Sequence, residues 1–360
     1  MKGAPPGKRL RLSDIAFEET RPVEPRPPRF ANLFSRDPDQ AKEARLHWLV
    51  HTRDGLASVL FHHMVRAMPT GFATWFGAVS APSAQRRYQK RIFAQRIARN
   101  FKALTCGRKH NATTQQQRLN RWWLNTGRTL SEFAIVNRLW RDGRIEVHGR
   151  EHLESARALG GPLIFTSVHL STWEAVFVAV HHGLAGPSIG PFQPEPNRFT
   201  NHIIHQLRKR RNQYLFPPGQ KSAYRLRRLL EAGETSLTIF IDEVRERQVH
   251  IPFFGREMPS KGNGIAAIKL ANACGGTIVP LYLTRLPGTR FKLTICPPVA
   301  RSDGTYPIAS TLSALNEVYE PVVLENLEEW YMLSEIRLPD GFEQGPYAQV
   351  LSQKNTRAGW

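Results

Sequence analysis

The sequence predicts an α/β protein with a mainly parallel central sheet flanked by helices, preceded by a helical region. Three observations predict it. From Arg144 onward, short β-rich runs alternate with helical patterns, and such alternation is the mark of parallel strands joined by helical crossovers. The run Pro162 to Val168 is mostly apolar and of buried-strand length, as in a strand buried on both faces. Residues from about 40 to 141 carry helical periodicity instead.

The elements follow in order. Ile145–Val147 reads as a short strand and 162–168 as the buried one. Thr172 to Val180 is helical, as is Asn201 to Arg211, with a strand near Tyr214–Phe216. Ser222 to Leu230 is a helix and Ser236 to Ile241 a β-rich run. Ile265 to Ala273 is a helix that Gly275 and Gly276 would end. Thr277 to Thr284 and Phe291 to Cys296 are strands, and helix runs from Leu312 to about Met332. The expected organisation is a disordered, Pro-rich basic tail over 1–38, a membrane-associating helical region over 39–141, an α/β core over 142–335 and a C-terminal tail over 336–360.

Composition narrows the function classes. Apolar residues make up 41% of 360, enough for a substantial core. The formal charge of +20 favours an acidic partner, whether nucleic acid, an anionic lipid surface or an acidic carrier protein. Cys106, Cys274 and Cys296 are few and widely spaced, so neither a disulfide framework nor a structural zinc site is expected. No metal and no resident cofactor is expected. No apolar stretch follows the N-terminal Met1–Pro6. The segment Ala67–Gln85 carries no charge but is interrupted by Pro69, Gly71, Gly77 and Pro82, and reads as buried or interfacial in a peripheral protein. Between Arg86 and Lys109 there are nine Lys or Arg and no acid, with Tyr88, Ile92, Phe93, Ile97, Phe101 and Leu104 at near-helical steps. This basic amphipathic helix reads equally as a membrane-surface helix and as a core helix with a solvated basic face.

One constellation carries chemistry. His169 directly follows the 162–168 strand, at the end where parallel sheets place their sites, and Glu174 lies five residues on. A carboxylate on one ring nitrogen would fix the tautomer and leave the other nitrogen as a base. On the residues alone the pair reads equally as a capping histidine beside a surface glutamate. A Gly-x-Ser-x-Gly match, Gly186-Pro-Ser188-Ile-Gly190, lacks the strand and helix that a nucleophile elbow needs and reads as a turn.

The block Gly-Pro-Leu-Ile-Phe-Thr-Ser-Val-His169-Leu-Ser-Thr-Trp-Glu174 resembles the signature of the lysophospholipid acyltransferase-like superfamily. More narrowly, it is similar to the branch of the late (lauroyl or myristoyl) acyltransferases of lipid A biosynthesis. Further blocks follow in the same order: Val147-His-Gly-Arg-Glu-His-Leu153, Pro194-Glu-Pro-Asn197, Arg208-Lys-Arg210, Ile241-Asp242, Ile251-Pro-Phe-Phe-Gly255, Gly262-x-Gly264 and Val279-Pro280. The resemblance spans roughly residues 45 to 335. It departs at Asp242-Glu243, where that family often has Asp-Gln or Asp-Arg, and in its weak N-terminal hydrophobic anchor.

The resemblance implies transfer of a fatty acyl chain from an acyl carrier protein or coenzyme A thioester to a lipid or glycolipid hydroxyl. It implies His169 and Glu174 as catalytic residues and Asn197, Arg208, Arg210 and Asp242 as substrate-binding or supporting residues. Phe253 and Phe254 are the candidates for an acyl-channel wall. The implied location is peripheral, on the cytoplasmic face of a bacterial inner membrane, with an anionic membrane surface as partner and no nucleic acid. The contrasting reading is a non-catalytic basic protein that binds membrane or nucleic acid.

Overall fold

Local sequence explains where the chain turns helical. In the computed structural model, which describes residues 9–106 and 112–357, Asp37 caps the first helix by accepting from the N–H groups of Asp39 and Gln40, with Pro38 at its first position. That helix, α1 (Pro38–Arg45), runs through a π-type turn into α2 (His51–Ala67). Then come α3 (Thr70–Tyr88), α4 (Ile92–Leu104) and α5 (Ala112–Arg141). The α/β part follows: β1 (Ile145–His148), α6 (Arg150–Ala158), β2 (Leu163–Ser167), α7 (Glu174–Ala179), β3 (Ser188–Pro191), α8 (Arg198–Arg210) and β4 (Leu215–Phe216). It continues with α9 (Gln220–Glu231), β5 (Ser236–Phe240), β6 (Val244–Arg245), β7 (Gln248–Val249), α10 (Asn263–Cys274), β8 (Thr277–Leu286) and β9 (Arg290–Ile295). Helices α11 (Ile308–Glu325) and α12 (Pro346–Arg357) close the described chain.

Seven strands form one sheet in the order β1-β9-β8-β2-β5-β3-β4. β8, β2, β5, β3 and β4 run parallel, while β9 and β1 run the other way. The mainly parallel sheet is therefore as expected. The period-2 alternation of strands sorts its side chains onto two faces. Ile164, Leu237 and Ile239 join a cluster with α4, α9, α10 and α11. Leu163, Phe165 and Phe240 join a second with α5, α6 and α7. Every residue of β2 and β5 is buried, and their register pairs Ser167 with Phe240, so both strands release the chain at the same edge.

Three expectations change. The helical region is not a packing unit of its own, because Ile97, Phe101 and Leu104 of α4 are buried in the same cluster as the sheet. The basic stretch 86–109 is thus a core helix over α4; Lys109 lies outside the described residues. The expected disordered tail is folded from residue 9 on: Ile15, Thr20 and Leu33 are buried, and Phe17 packs on His205 and Tyr214. Glu18 pairs with Lys209 and Glu19 with Lys221, partners too distant in sequence for composition to reveal. Likewise 336–351 is anchored, with Ile336 and Phe342 buried and Tyr347 donating to Glu320.

Two other readings are revised. Pro82 and the glycines do not break α3, which runs unbroken through 70–88. The Gly186–Gly190 segment contains a strand, and Ser188 is buried with its hydroxyl bonded to Thr238, so it is no nucleophile.

Candidate active site

Adjacent parallel strands deliver the two central residues. β2 leads through buried Val168 to His169, and β5 leads through buried Ile241 to Asp242. Asp242 is wholly buried, and three donors converge on it. Its Oδ1 lies 2.7 Å from His169 Nδ1; its Oδ2 accepts the His169 backbone N–H at 2.8 Å and the Trp330 indole N–H at 2.9 Å. An ionised carboxylate only accepts, so Nδ1 carries the proton and Nε2 of the neutral ring is the free base. The ring sits 4.5 Å from Phe240 and 5.5 Å from Trp173 between centroids, and Trp173 stands against Tyr331. The His169 carbonyl accepts from Tyr331 N, and Ser171 N donates to the Glu329 carbonyl, so the C-terminal segment straps down the loop.

Glu174 does not reach His169. It is buried as the first residue of α7, and its carboxylate faces α8. Arg208 donates to both its oxygens at 3.3 and 3.4 Å, and Arg211 donates to Oε1. Burial pushes its pKa up, but the two guanidiniums outweigh burial and hold it below the usual carboxylate range. Arg211 also donates to Gln213 and Asn137, and Arg208 lies over the Phe192 ring. The expected His169–Glu174 contact is thus replaced by two pairs, His169–Asp242 and Glu174–Arg208/Arg211. The reason lies in the loop: Ser171 has φ 52°, and the chain turns there before α7 begins.

The remaining sequence-derived residues are dispersed. Asn197 caps α8 by accepting from Phe199 N, and its amide donates to the His51 carbonyl of α2. Arg210 is exposed at the end of α8 and makes no hydrogen bond or ion pair among the described residues. Phe254 is fully buried against Trp330, one layer behind Asp242, and Phe253 is half-buried beside it. Glu243 accepts the Asn263 N–H at the start of α10. Burial pushes its pKa up to about 8, so at neutral pH it is mostly the neutral acid. The departure from Asp-Gln is therefore electrically small.

Sequence reasoning missed Trp330, Tyr331, Arg211 and the buried Glu132. Arg285 clamps Glu132 at 2.7 and 2.8 Å, and Thr74 and Thr172 also donate to it, backing the His169 loop from α3, α5 and β8. Trp173 had a visible signal, since it stands inside the His169–Glu174 block; the others, Glu132, Arg211, Trp330 and Tyr331, lie in distant parts of the chain.

With this geometry in view, comparison with known families shows that residues 44–336 match the model of the bacterial lipid A biosynthesis acyltransferases. A search of curated proteins found no match.

Proposed function

The chain belongs to the bacterial lipid A biosynthesis acyltransferase family, and from that premise we propose that it moves a fatty acyl group from a thioester onto a hydroxyl of a lipid or glycolipid. Membership makes it an acyltransferase; the donor, the acceptor and the roles of residues are our reading. The observation that carries it is the His169–Asp242 pair at the ends of β2 and β5.

His169 Nε2 takes the proton of the acceptor hydroxyl, and the oxygen attacks the thioester carbonyl. The oxyanion collapses, the C–S bond breaks, and the imidazolium returns its proton to the departing thiolate. Products are an ester and a free thiol, and no acyl-enzyme is needed. Asp242 keeps Nδ1 protonated throughout and stabilises the imidazolium. General base catalysis of this kind contributes roughly 10²–10⁴-fold. Glu174 becomes the residue that orients Arg208, and Arg208 and Arg210 the cations for anionic groups of acceptor or donor. Both proposed donors, acyl carrier protein and acyl coenzyme A, are anionic, which suits the charge of +20. The reading puts the protein peripherally on the cytoplasmic face of the inner membrane. Among the described residues no helix is long and apolar enough to cross a membrane, which is compatible with this.

The test is mass spectrometry of lipid extracts from cells with and without the protein, repeated with His169→Ala. We expect an acylated lipid that needs the wild-type chain. The same product at the same rate from a folded His169→Ala protein would remove His169 from the mechanism.

A further inference from the structure

We propose that the outward faces of α2 and α3 form a docking surface for an anionic phospholipid bilayer. The inference rests on the peripheral-membrane reading above and not on the chemistry assigned to His169. Helix α3 is built inside out. Its inward positions are small, Ala73, Thr74, Gly77 and Ala81, and all are buried. Its large apolar residues, Phe72, Trp75 and Val79, face outward, with Trp75 54% exposed. The small inner row is used fully: a Cβ on Gly77 would lie 2.4 Å from the Gly127 carbonyl oxygen, so the backbones of α3 and α5 touch. In α2, Leu56, Leu60 and Met64 recur at steps of four along one exposed row, and Leu60 is 71% exposed. The row is extended backward by Leu46 and Leu49. A two-residue link joins the helices, and Phe61 meets Phe76 between them. Apolar faces of this extent are rare on surfaces that meet only water.

Charge selects the occupant. Between Gly55 and Ser131 there is no Asp or Glu, against thirteen Lys and Arg, of which Arg99 and Arg118 pair with Asp340 and Glu328 elsewhere in the fold. Arg66 stands at the end of α2, and Arg86, Arg87, Lys90 and Arg91 follow the α3 face, all exposed. Apolar rows bordered by unopposed cations match the acyl chains and phosphates of an anionic bilayer. A groove of about 470 Å³ along α1 and the π-type turn that leads into α2, with Lys42 and Arg45 beside Leu46 and Val50, continues the same chemistry. Helix α4, the basic helix that sequence singled out, is the poorer candidate, because Ile97, Phe101 and Leu104 of its apolar row are already buried and only Ile92 and Phe93 at its start are exposed. The face also reaches toward the site. α2 and the turn before it are fastened to α8 by Asn197 and Arg198, which donate to the His51 and His47 carbonyls, and α8 carries Arg208.

The experiment uses the full chain carrying His169→Ala, so that binding is read without turnover. Flotation is measured with vesicles of phosphatidylcholine alone and of phosphatidylcholine mixed with phosphatidylglycerol. We expect binding to the mixed vesicles, weakened by salt, and a loss of about tenfold or more on adding Leu60→Glu and Trp75→Glu together. Brominated lipid should quench Trp fluorescence, and Trp75→Phe, which keeps the apolar ring, should remove that quenching while flotation persists. Unchanged flotation of the double variant, or quenching unaltered in Trp75→Phe, overturns the proposal. So does a lipid-free dimer that the double variant dissociates, since the face would then hold a second copy.

Discussion

Asparagine in place of Asp242 alters one atom of the site, and its effect can be worked out from three distances. Two donors with no alternative state, the His169 backbone N–H and the Trp330 indole N–H, converge on Oδ2 at 2.8 and 2.9 Å. An amide offers one acceptor, and it must stay at that corner. The flipped orientation would bury two N–H groups against an NH₂, at about 1–3 kcal/mol for each donor left unmade. The NH₂ therefore lands on His169 Nδ1, where Oδ1 now sits at 2.7 Å. Nδ1 has to accept, the ring proton moves to Nε2, and the base is lost. The wrong tautomer in a comparable His–Asp pair lowers turnover roughly 10⁴-fold, so we expect a fall of about 10³–10⁴ for Asp242→Asn. Because every polar atom still has a partner, stability should drop by only about 1 kcal/mol. Thiol release from an acyl thioester measures the rate, a denaturant midpoint the stability, and ¹⁵N NMR of His169 the protonated nitrogen. Loss of activity with Nδ1 still protonated would refute the tautomer argument, and a rate close to wild type would refute the assigned pair altogether.

Glu174→Gln should act on stability first. It leaves Arg208 and Arg211 buried against a neutral amide, which costs about 3–5 kcal/mol; His169 should keep its tautomer, and a changed tautomer in the same NMR experiment would reconnect Glu174 to the ring. Gly127→Ala should lower the melting temperature by the equivalent of about 1–3 kcal/mol, because the added Cβ would sit 2.4 Å from the Gly77 carbonyl oxygen. A helix-interior Gly→Ala change is ordinarily stabilising, so a rise in melting temperature would rule out the backbone contact. Glu243 keeps its proton in the folded state up to about pH 8 but loses it near 4.5 when unfolded. The native state therefore holds more protons across that window, and stability falls as pH rises through it. Glu243→Gln preserves the acceptor for Asn263 and removes the titration. Its melting temperature should exceed the parent's at pH 8 and equal it at pH 4, and equal gains at both would sink the argument.

What the sequence disclosed and what it hid divide along a physical line. The strand before His169 was legible because it is buried on both faces and opens on an unbroken apolar run, Leu163 to Phe165. Asp242 was legible as a strand-end residue, and the register of β2 with β5 turns that shared property into contact. Glu174 was assigned to the wrong partner because five residues of separation says nothing about direction; one positive φ at Ser171 and the cations of α8 decide it. The amphipathic period of α4 was visible, but a period reports that a face is covered and not what covers it. Here Asn100 of that helix donates to the Leu333 and Ile336 carbonyls, a partnership spanning more than 200 residues. In α3 the opposite happened: residues read as helix breakers, Gly77 among them, are what allows α5 to come close.

The C-terminal strap has a consequence for how the protein comes into being. Trp330 fixes the carboxylate of Asp242, Tyr331 holds the His169 carbonyl, and Glu328 anchors the same segment to Arg118 and Asn125 of α5. A ribosome that has released both His169 and Asp242 has still to release the residues that fix their geometry. Those contacts to Asp242 and His169 can therefore form only once Trp330 and Tyr331 have been made. Removal of residues after 326 should leave Asp242 on His169 Nδ1 but strip the Trp330 and Tyr331 contacts that hold the carboxylate and the loop in place.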